Sequence, residues 1–300
     1  MHPAQPRTSE PPRDRVLQVS QRPVQPPGAG ARFRKAYAEH RRREGRAEGG
    51  VAHLLTLPYV EHGPWAGQWR VRSRTYERFL DAVVAPMERT TRGRPLRVLD
   101  LGAGNGWLCF RLRGRGHEAI ALDWRYDEID GLGAARGYAG HVEPLFARVA
   151  ASFEALPFPD EWCDLAVFNA SLHYATDLAA TLAEAVRMLV PTGVVAILDS
   201  PFYRNARDGD AMVAEKRSGR GLDFGAAQAD LLALSSIEYL TRDRLLDSSS
   251  GLGLSWRRSR VRYPLGYEIR PLLAALRGRR APSRFDVWHG QRTGRDRVVG

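Results

Sequence analysis

The stretch Leu96–Leu112, LRVLDLGAGNGWLCFRL, joins two apolar runs through a turn in which every second residue is glycine. The first run is continuous, as in a strand covered on both faces of a sheet, and the second has the period of a helix. Gly102, Gly104 and Gly106 can adopt positive φ angles and leave no side chain between the backbone and a ligand. Because the helix that follows presents unpaired amide groups, the stretch predicts a strand, a ligand-binding turn and a helix.

Further short apolar runs follow at the spacing of an α/β protein. EAIAL, FARVAAS, DLAVFN and GVVAILDS are typical of buried strands, and an apolar stripe of helical period lies between the last two. This alternation predicts right-handed crossover units and a mostly parallel sheet with helices on both faces. LSWRRSRVRYP and RFDVWHGQR alternate apolar and polar residues, as antiparallel edge strands do.

Composition narrows the class of protein. The chain has 300 residues, a formal net charge of +11 and only two cysteines. Cys109 and Cys163 lie in apolar stretches without CxxC spacing, so neither a disulfide framework nor a metal site is expected. The arginines are scattered without aromatic interleaving, so nucleic acid is not a favoured partner. No apolar run has the length of a membrane helix and the first residues lack a signal-peptide segment, which predicts a cytoplasmic protein without a membrane partner.

Composition also divides the chain into segments. The first residues are rich in proline, arginine and glycine and lack an apolar period, so they are expected to be disordered. Apolar residues recur near helical spacing from Gln68 to Arg89 and predict a packed helix. The predicted segments are a disordered tail (1–32), an N-terminal helical lid segment (33–95), a core (96–200), a mobile helical cap inserted at 201–240, the C-terminal part of the fold (241–292) and a short tail (293–300).

Two acidic residues flank the glycine turn. Asp100 ends the first strand, where a carboxylate repels a pyrophosphate but suits a ligand that carries an amino group. About twenty residues on, the strand EAIALDW ends in Asp123, the place of acids that accept both hydroxyls of an adenosine ribose. The ligand is therefore expected to contain ribose and to be cationic near Asp100.

At these residues the chain resembles the class I S-adenosylmethionine-dependent methyltransferases, in particular the small-molecule, type 11-like group that includes the quinone-biosynthesis enzymes. VLDLGAGNGW is similar to the family's nucleotide-binding motif, ALDW to its ribose-binding acid, and EALPFPDEWCDLAVFNASLHY to its adenine and fourth-strand motifs. The resemblance covers residues 96–200 specifically and residues 241–292 more loosely. It implies a Rossmann-like sheet of seven strands with the last one antiparallel, and S-adenosyl-L-methionine as cofactor.

The resemblance also implies which residues hold this cofactor. Gly102 to Gly104 would lie along its methionine part, Asp123 would hold the ribose and Trp124 would flank the adenine. Where the family usually has an acid that binds the adenine amino group, this chain has Ser152. The full set of implied cofactor residues is Asp100, Gly102, Ala103, Gly104, Asn105, Gly106, Asp123, Trp124, Ser152, Phe153, Asn169, Ala170 and Ser171.

Methyl transfer requires above all an acceptor that is held in line with the donor. A general base helps where the acceptor is a hydroxyl, a phenol or an acidic carbon, and His173 is the candidate, with Tyr203 beyond the fifth strand as a second. The aromatic segment before the first core helix is expected to cover the cleft. The candidate acceptor-binding residues are Tyr59, His62, Trp65, Trp69 and Ser200, and the acceptor is expected to be a small molecule.

Three other functions stay open. A nucleic-acid methyltransferase is disfavoured because NASLHY lacks the Asn/Asp-Pro-Pro-aromatic run of exocyclic-amine enzymes and neither cysteine is placed as a nucleophile, but activity on RNA ribose is not excluded. A nicotinamide-dependent oxidoreductase normally has GxGxxG rather than GAGNG. A binding protein without catalysis would retain the glycines and Asp123. The acceptor, the methylated atom and the oligomeric state are not readable from the sequence.

Overall fold

The computed structural model describes residues 16–18, 50–218 and 236–293. The strands are β1 (Val16–Gln18), β2 (Arg97–Leu101), β3 (Glu118–Asp123), β4 (Ala147–Ala150), β5 (Cys163–Asn169), β6 (Leu189–Leu198), β7 (Phe202–Tyr203), β8 (Leu240–Thr241), β9 (Leu254–Ser259) and β10 (Val287–Arg292). The helices are α1 (Gly50–Thr56), α2 (Ala66–Phe79), α3 (Ala85–Thr90), α4 (Trp107–Gly114), α5 (Leu178–Met188), α6 (Ala206–Arg217), α7 (Arg242–Ser248), α8 (Leu265–Glu268) and α9 (Arg270–Leu276).

The main sheet has the strand order β1-β4-β3-β2-β5-β6-β10-β9. Strands β1 to β6 are parallel, and β10 runs antiparallel to both of its neighbours, β6 and β9. Seven neighbouring strands, in the spatial order β4-β3-β2-β5-β6-β10-β9, confirm the predicted Rossmann-like sheet with an antiparallel last strand. Both β9 and β10 were expected as edge strands, but β10 lies inside the sheet and β9 forms the edge on that side.

The tail predicted as disordered contains β1, which pairs in parallel with Arg148–Ala150 of β4. The physical reason is that the free edge of β4 offers unpaired backbone groups that an extended segment can satisfy. The rest of the predicted tail, 1–15 and 19–32, lies outside the described residues.

A helix was predicted from Gln68 to Arg89, and the observed helix begins and ends within two residues of these positions. Its backbone is helical from Ala66 to Thr90 and widens to a π-helical turn at Leu80–Val84, between α2 and α3. Pro86, in the first turn of α3, lacks the N–H that would bond back into the π-helical turn, so the ladder of helical hydrogen bonds is interrupted there. This helix packs on one face of the sheet through buried residues that include Tyr76, Phe79 and Val83.

Alternate residues of the central strands fill the core on opposite faces of the sheet. In β2, Val98 packs with α2 and α4 on one face, and Leu99 and Leu101 pack with α5 on the other. The α5 helix starts at Asp177, whose carboxylate accepts a hydrogen bond from the Ala180 amide, as an N-cap does. This two-sided burial explains why the strands are continuous apolar runs.

Beyond β6 the chain forms a second, two-stranded sheet of β7 and β8, with α6 between them. Residues 219–235 of the predicted cap lie outside the described residues. The prediction that the cap is mobile therefore stays a prediction. Among the described helices, none is long and apolar enough to cross a membrane.

Candidate functional site

The carboxyl ends of the parallel strands β2, β3, β5 and β6 lie on the same side of the sheet, and the glycine turn follows β2 there. Gly102, Gly104 and Gly106 have φ angles of +79°, +54° and +76°, in the left-handed region. The amide of Gly102 donates to the carbonyl of Leu122 at 2.7 Å, which fixes the turn against β3. A Cβ atom on Gly102 would lie 2.3 Å from the Cβ of Ser171, so this position has no room for any side chain.

Asp123 is bonded to the turn from the end of β3. Its two carboxylate oxygens accept hydrogen bonds from the amides of Gly104 and Arg125, each at 2.8 Å. Burial raises the pKa of this carboxyl, and Arg125 opposes the shift. Since each carboxylate oxygen accepts about two hydrogen bonds, the group retains acceptor capacity for further donors.

Asp100 is the most deeply buried carboxyl of the site. Its side chain is inaccessible to solvent, its Oδ2 lies 3.8 Å from the Cys109 sulfur, and its Oδ1 has no hydrogen-bond partner in the described part of the chain. Burial first, and the charge of Asp123 second, raise the pKa of Asp100 to about 8. Asp100 therefore carries a proton at neutral pH unless a cation approaches it.

The loop after β3 braces the glycine turn from outside. Asn105 donates to the Asp130 carboxylate at 2.9 Å and accepts from the Trp107 amide at the start of α4. Asp127 holds the loop by accepting from the amides of Ile129 and Asp130. Trp124, the predicted adenine neighbour, begins this loop and is half-buried.

The end of β5 lies next to the turn. Ala170 has a φ of +58°, an unusual conformation for a residue with a side chain, and its amide donates to Leu198 of β6. The hydroxyl of Ser171 donates to the carbonyl of Leu101, so Ser171 packs on the turn itself. The Asn169 Oδ1 is buried and has no hydrogen-bond partner among the described residues. Strain and an unsatisfied polar atom together are typical of a ligand site.

Ser152 and Phe153 follow β4 on the side of the cleft where the resemblance expects adenine. The Ser152 hydroxyl accepts a hydrogen bond from the Glu154 amide at 3.2 Å. The Phe153 ring packs edge-on against Phe168 of β5, and one of its carbons would lie 3.7 Å from a Cβ on Gly102. Phe153 therefore lies close to the turn, as expected of a cofactor neighbour.

The two candidate bases lie beyond β5 and β6. His173 lies in a short 3₁₀ turn, and its Nδ1 is 3.4 Å from the Ser200 hydroxyl, so the structure brings these two predicted residues together. Tyr203 is buried in β7, where its hydroxyl accepts a hydrogen bond from Arg280 at 3.2 Å. Burial raises the pKa of Tyr203, which makes it a poorer proton acceptor than His173 at neutral pH.

The aromatic acceptor candidates are in different environments. Trp69 is buried and packs edge-on against Trp107 of α4, so it attaches α2 to the core. Trp65 is partly buried against the same core. Tyr59 is exposed beside the Arg111 guanidinium, and the His62 side chain is 94% exposed. Of these four, only Trp65 and Trp69 are fixed on the core side of the lid segment.

The sequence did not point to the ion pair between Arg72 and Asp199. The Arg72 guanidinium, on α2, lies 3.1 Å from the Asp199 carboxylate at the end of β6, and both side chains are largely buried. Asp199 has a φ of +50°, and the Arg72 guanidinium also stacks 4.6 Å from the centre of the Trp69 ring. This ion pair links α2 to the carboxyl ends of the parallel strands, where the glycine turn also lies. A single arginine in an amphipathic helix gives no sequence signal of such a partner.

The residues present fit the cofactor that the resemblance implies. Four groups lie together at the carboxyl ends of the parallel strands: the bare Gly102 backbone, the Asp123 carboxylate with spare acceptor capacity, and the unsatisfied buried oxygens of Asp100 and Asn169. Carboxylates are suited to ribose hydroxyls and to an ammonium group, which S-adenosylmethionine carries together. Asp123 would hold the ribose and Asp100 would lie near the ammonium group.

Comparison with known proteins agrees with this assignment. Residues 99–197 match the family model described as methyltransferase domain. The chain is 31% identical over 109 residues to malonyl-[acyl-carrier protein] O-methyltransferase of Erwinia pyrifoliae, covering 36% of this chain and 39% of that protein. It is 34% identical over 113 residues to a ubiquinone/menaquinone biosynthesis C-methyltransferase of Proteus mirabilis, covering 35% and 43%. The chain thus matches about two fifths of the length of these relatives.

A solved structure extends the similarity of fold to most of the chain. The Burkholderia thailandensis 1,6-didemethyltoxoflavin-N1-methyltransferase, solved with 1,6-didemethyltoxoflavin and S-adenosylhomocysteine bound, superposes with a TM-score of 0.50. It is 17% identical, and the match covers 92% of this chain and 93% of that one. The fold outside the matched domain is therefore shared as well.

Proposed function

We propose that this protein, in which residues 99–197 match a methyltransferase domain, uses S-adenosylmethionine and transfers the cofactor's methyl group to a small-molecule acceptor. The observation that carries the proposal is the Asp123 carboxylate, fixed by the Gly104 and Arg125 amides beside a turn of left-handed glycines. This arrangement positions an acceptor of hydroxyl groups next to a backbone that a ligand can approach closely.

When bound, the cofactor supplies a sulfonium-activated methyl group, so the protein's task is mainly positioning. In-line transfer needs the acceptor atom at roughly 3 to 3.5 Å from the methyl carbon, and most of the acceleration comes from this alignment. In this proposal the acceptor meets the methyl group near the ends of β5 and β6, where Asn169, Ser200 and His173 lie.

His173 is the proposed general base for an acceptor that must lose a proton. The contact between its Nδ1 and the Ser200 hydroxyl holds the imidazole in one orientation beside the end of β6. Tyr203 instead has a structural role in this proposal, because Arg280 holds its hydroxyl.

The relatives support a small acceptor. Their printed names describe an O-methyltransferase for malonyl-[acyl-carrier protein], a C-methyltransferase of quinone biosynthesis and an N1-methyltransferase for 1,6-didemethyltoxoflavin. The malonyl group in the first name is carried on a protein and the methylated atom differs among the three, so the proposal extends to a small acceptor group and not to the atom.

The test follows a labelled methyl group into fractions of a cell extract. The full chain is incubated with methyl-tritiated S-adenosylmethionine and either small metabolites, RNA or protein. We expect label in the metabolite fraction, its loss in Asp123→Asn, and its retention in the matched surface variant Asp243→Asn, whose side chain is 84% exposed. Variant-sensitive label in RNA would overturn the small-molecule acceptor, and absence of label from every fraction would overturn the proposed transfer.

A further inference from the structure

The segment between β9 and β10 presents an apolar surface to solvent. Five side chains of α8, α9 and the residue between them form what we call the apolar ridge: Leu265, Ile269, Leu272, Leu273 and Leu276. Their exposed fractions are 77%, 38%, 62%, 37% and 76%. Single exposed leucines are ordinary, but five in twelve residues form a contiguous patch of the kind that marks an interaction site.

The ridge residues lie on one helical face. The Ile269 amide donates to the Leu265 carbonyl and the Leu273 amide donates to the Ile269 carbonyl, both at 3.1 Å, so helical bonding continues from α8 into α9. At 100° per residue, the five positions fall within a stripe about 100° wide, as in an amphipathic helix.

The first helix of the ridge, α8, is anchored to the protein body on its other side. Glu268 pairs with Arg284 at 2.9 Å, and Arg284 also pairs with the buried Asp286. The Tyr267 ring packs against Tyr263, with 4.4 Å between ring centres. The α9 helix continues from α8 through the hydrogen bond between the Leu273 amide and the Ile269 carbonyl.

Positive charge surrounds the ridge. Arg262, Arg277 and Arg279 are exposed, and none of them forms an ion pair with a described residue. The only acid between positions 262 and 280 is Glu268, and its carboxylate is already engaged by Arg284.

We propose that the apolar ridge and its arginines dock the protein onto an anionic lipid bilayer. A helix with leucines on one face and arginines beside them lies in the plane of the interface, with the leucines among the acyl chains and the guanidinium groups at the phosphates. No described helix can span a membrane, so the contact is peripheral. A second copy of the chain is a poorer occupant, because pairing two ridges would bring their unpaired arginines together.

The ridge is connected to α2. Tyr263, which precedes α8, lies with its hydroxyl 2.9 Å from that of Thr75 on α2. The proposal does not depend on which acceptor is methylated.

The test is sedimentation of the full chain with sucrose-loaded vesicles of phosphatidylglycerol and phosphatidylcholine. We expect binding to the anionic vesicles, little binding to pure phosphatidylcholine, and weakening as salt is raised. Leu272→Gln/Leu276→Gln should lower the partition coefficient by about tenfold or more, since glutamine keeps helix propensity but removes the apolar contact. Val51→Gln, at an exposed apolar residue elsewhere, is the matched control and should bind like the unmodified protein.

A second pair of variants tests the charges. Arg277→Gln/Arg279→Gln should weaken binding by roughly thirtyfold, at about 1 kcal/mol per arginine, and flatten the salt dependence. Arg242→Gln, at an exposed arginine of α7, should change neither.

Four results would overturn the proposal. The first two are no binding to anionic vesicles at low salt and equal binding by all variants. The third is a dimer in sedimentation equilibrium that Leu272→Gln/Leu276→Gln abolishes, which would identify a second copy as the occupant. A large fall in the urea midpoint of the same variant would mean that the chain itself covers the leucines.

Discussion

Gly102→Ala should destabilise the protein through one identifiable contact. The added methyl group would lie 2.3 Å from the Ser171 Cβ, whereas two carbons normally approach to 3.5–4.0 Å. The left-handed φ of +79° costs an alanine about 1 kcal/mol, and overpacking of this kind costs about 1–3 kcal/mol. The free energy of unfolding should therefore fall by about 2–4 kcal/mol.

A double-mutant cycle isolates the contact. Ser171→Gly removes the obstructing Cβ and the hydrogen bond to Leu101, at a cost of about 1–2 kcal/mol. Combined with Gly102→Ala it should show a favourable coupling of about 1–2 kcal/mol, because the methyl group then has space.

Equilibrium urea denaturation of the four proteins, followed by circular dichroism, measures the coupling. Gly104→Ala is the matched control, since its added Cβ would lie 3.4 Å from the Asp130 carbonyl and only the backbone cost of about 1 kcal/mol applies. Additivity of Gly102→Ala and Ser171→Gly within about 0.5 kcal/mol would refute the steric reasoning.

Three further predictions concern charge and protons. The folded pKa of Asp100, about 8, lies above its unfolded value, so the native state keeps a proton that the unfolded chain loses and stability should fall from about pH 4 to pH 8. In urea titrations at several pH values, Asp100→Asn should make the fall of the unfolding free energy with pH shallower by up to about 1.4 kcal/mol per pH unit. An unchanged dependence on pH would contradict the assignment. Arg72→Gln leaves the Asp199 carboxylate buried without its cation and should lower the free energy of unfolding, measured in urea, by about 3–5 kcal/mol. Arg74→Gln, which breaks an exposed pair on the same helix, should lower it by less than about 1 kcal/mol, and equal losses would show that the Arg72–Asp199 pair is not buried. If an acceptor loses its proton to His173, His173→Asn should lower kcat by about 10²–10⁴ while KM changes little, whereas an unchanged kcat would assign the base elsewhere.

The sheet was predictable because the patterns that identify its strands lie within short segments of sequence. Continuous apolar runs identify buried parallel strands, and alternate glycines before a helix identify the ligand turn, so β2 to β6 and Gly102–Gly106 followed from short segments. The antiparallel direction of β10 also followed, from its alternating pattern. Its position between β6 and β9 did not, because strand order depends on contacts distant in the sequence.

The missed features have the same origin. The pairing of Val16–Gln18 with β4 depends on a free strand edge 130 residues away, and a three-residue strand has no period to read. The pair of Arg72 and Asp199 joins a helix to a strand end 127 residues later. The exposure of Leu272 and its neighbours was equally unreadable, since an apolar helical stripe normally predicts burial.

Calorimetric titration of the full chain with S-adenosylmethionine, S-adenosylhomocysteine and NAD tests the central claim most directly. We predict micromolar binding of the first two and none of NAD. Asp123→Asn should weaken this binding by about 10- to 100-fold, the value of a hydrogen bond to a charged group. Preference for NAD, or no heat of binding with any of the three, would contradict the account of this site as a methyltransferase cofactor site.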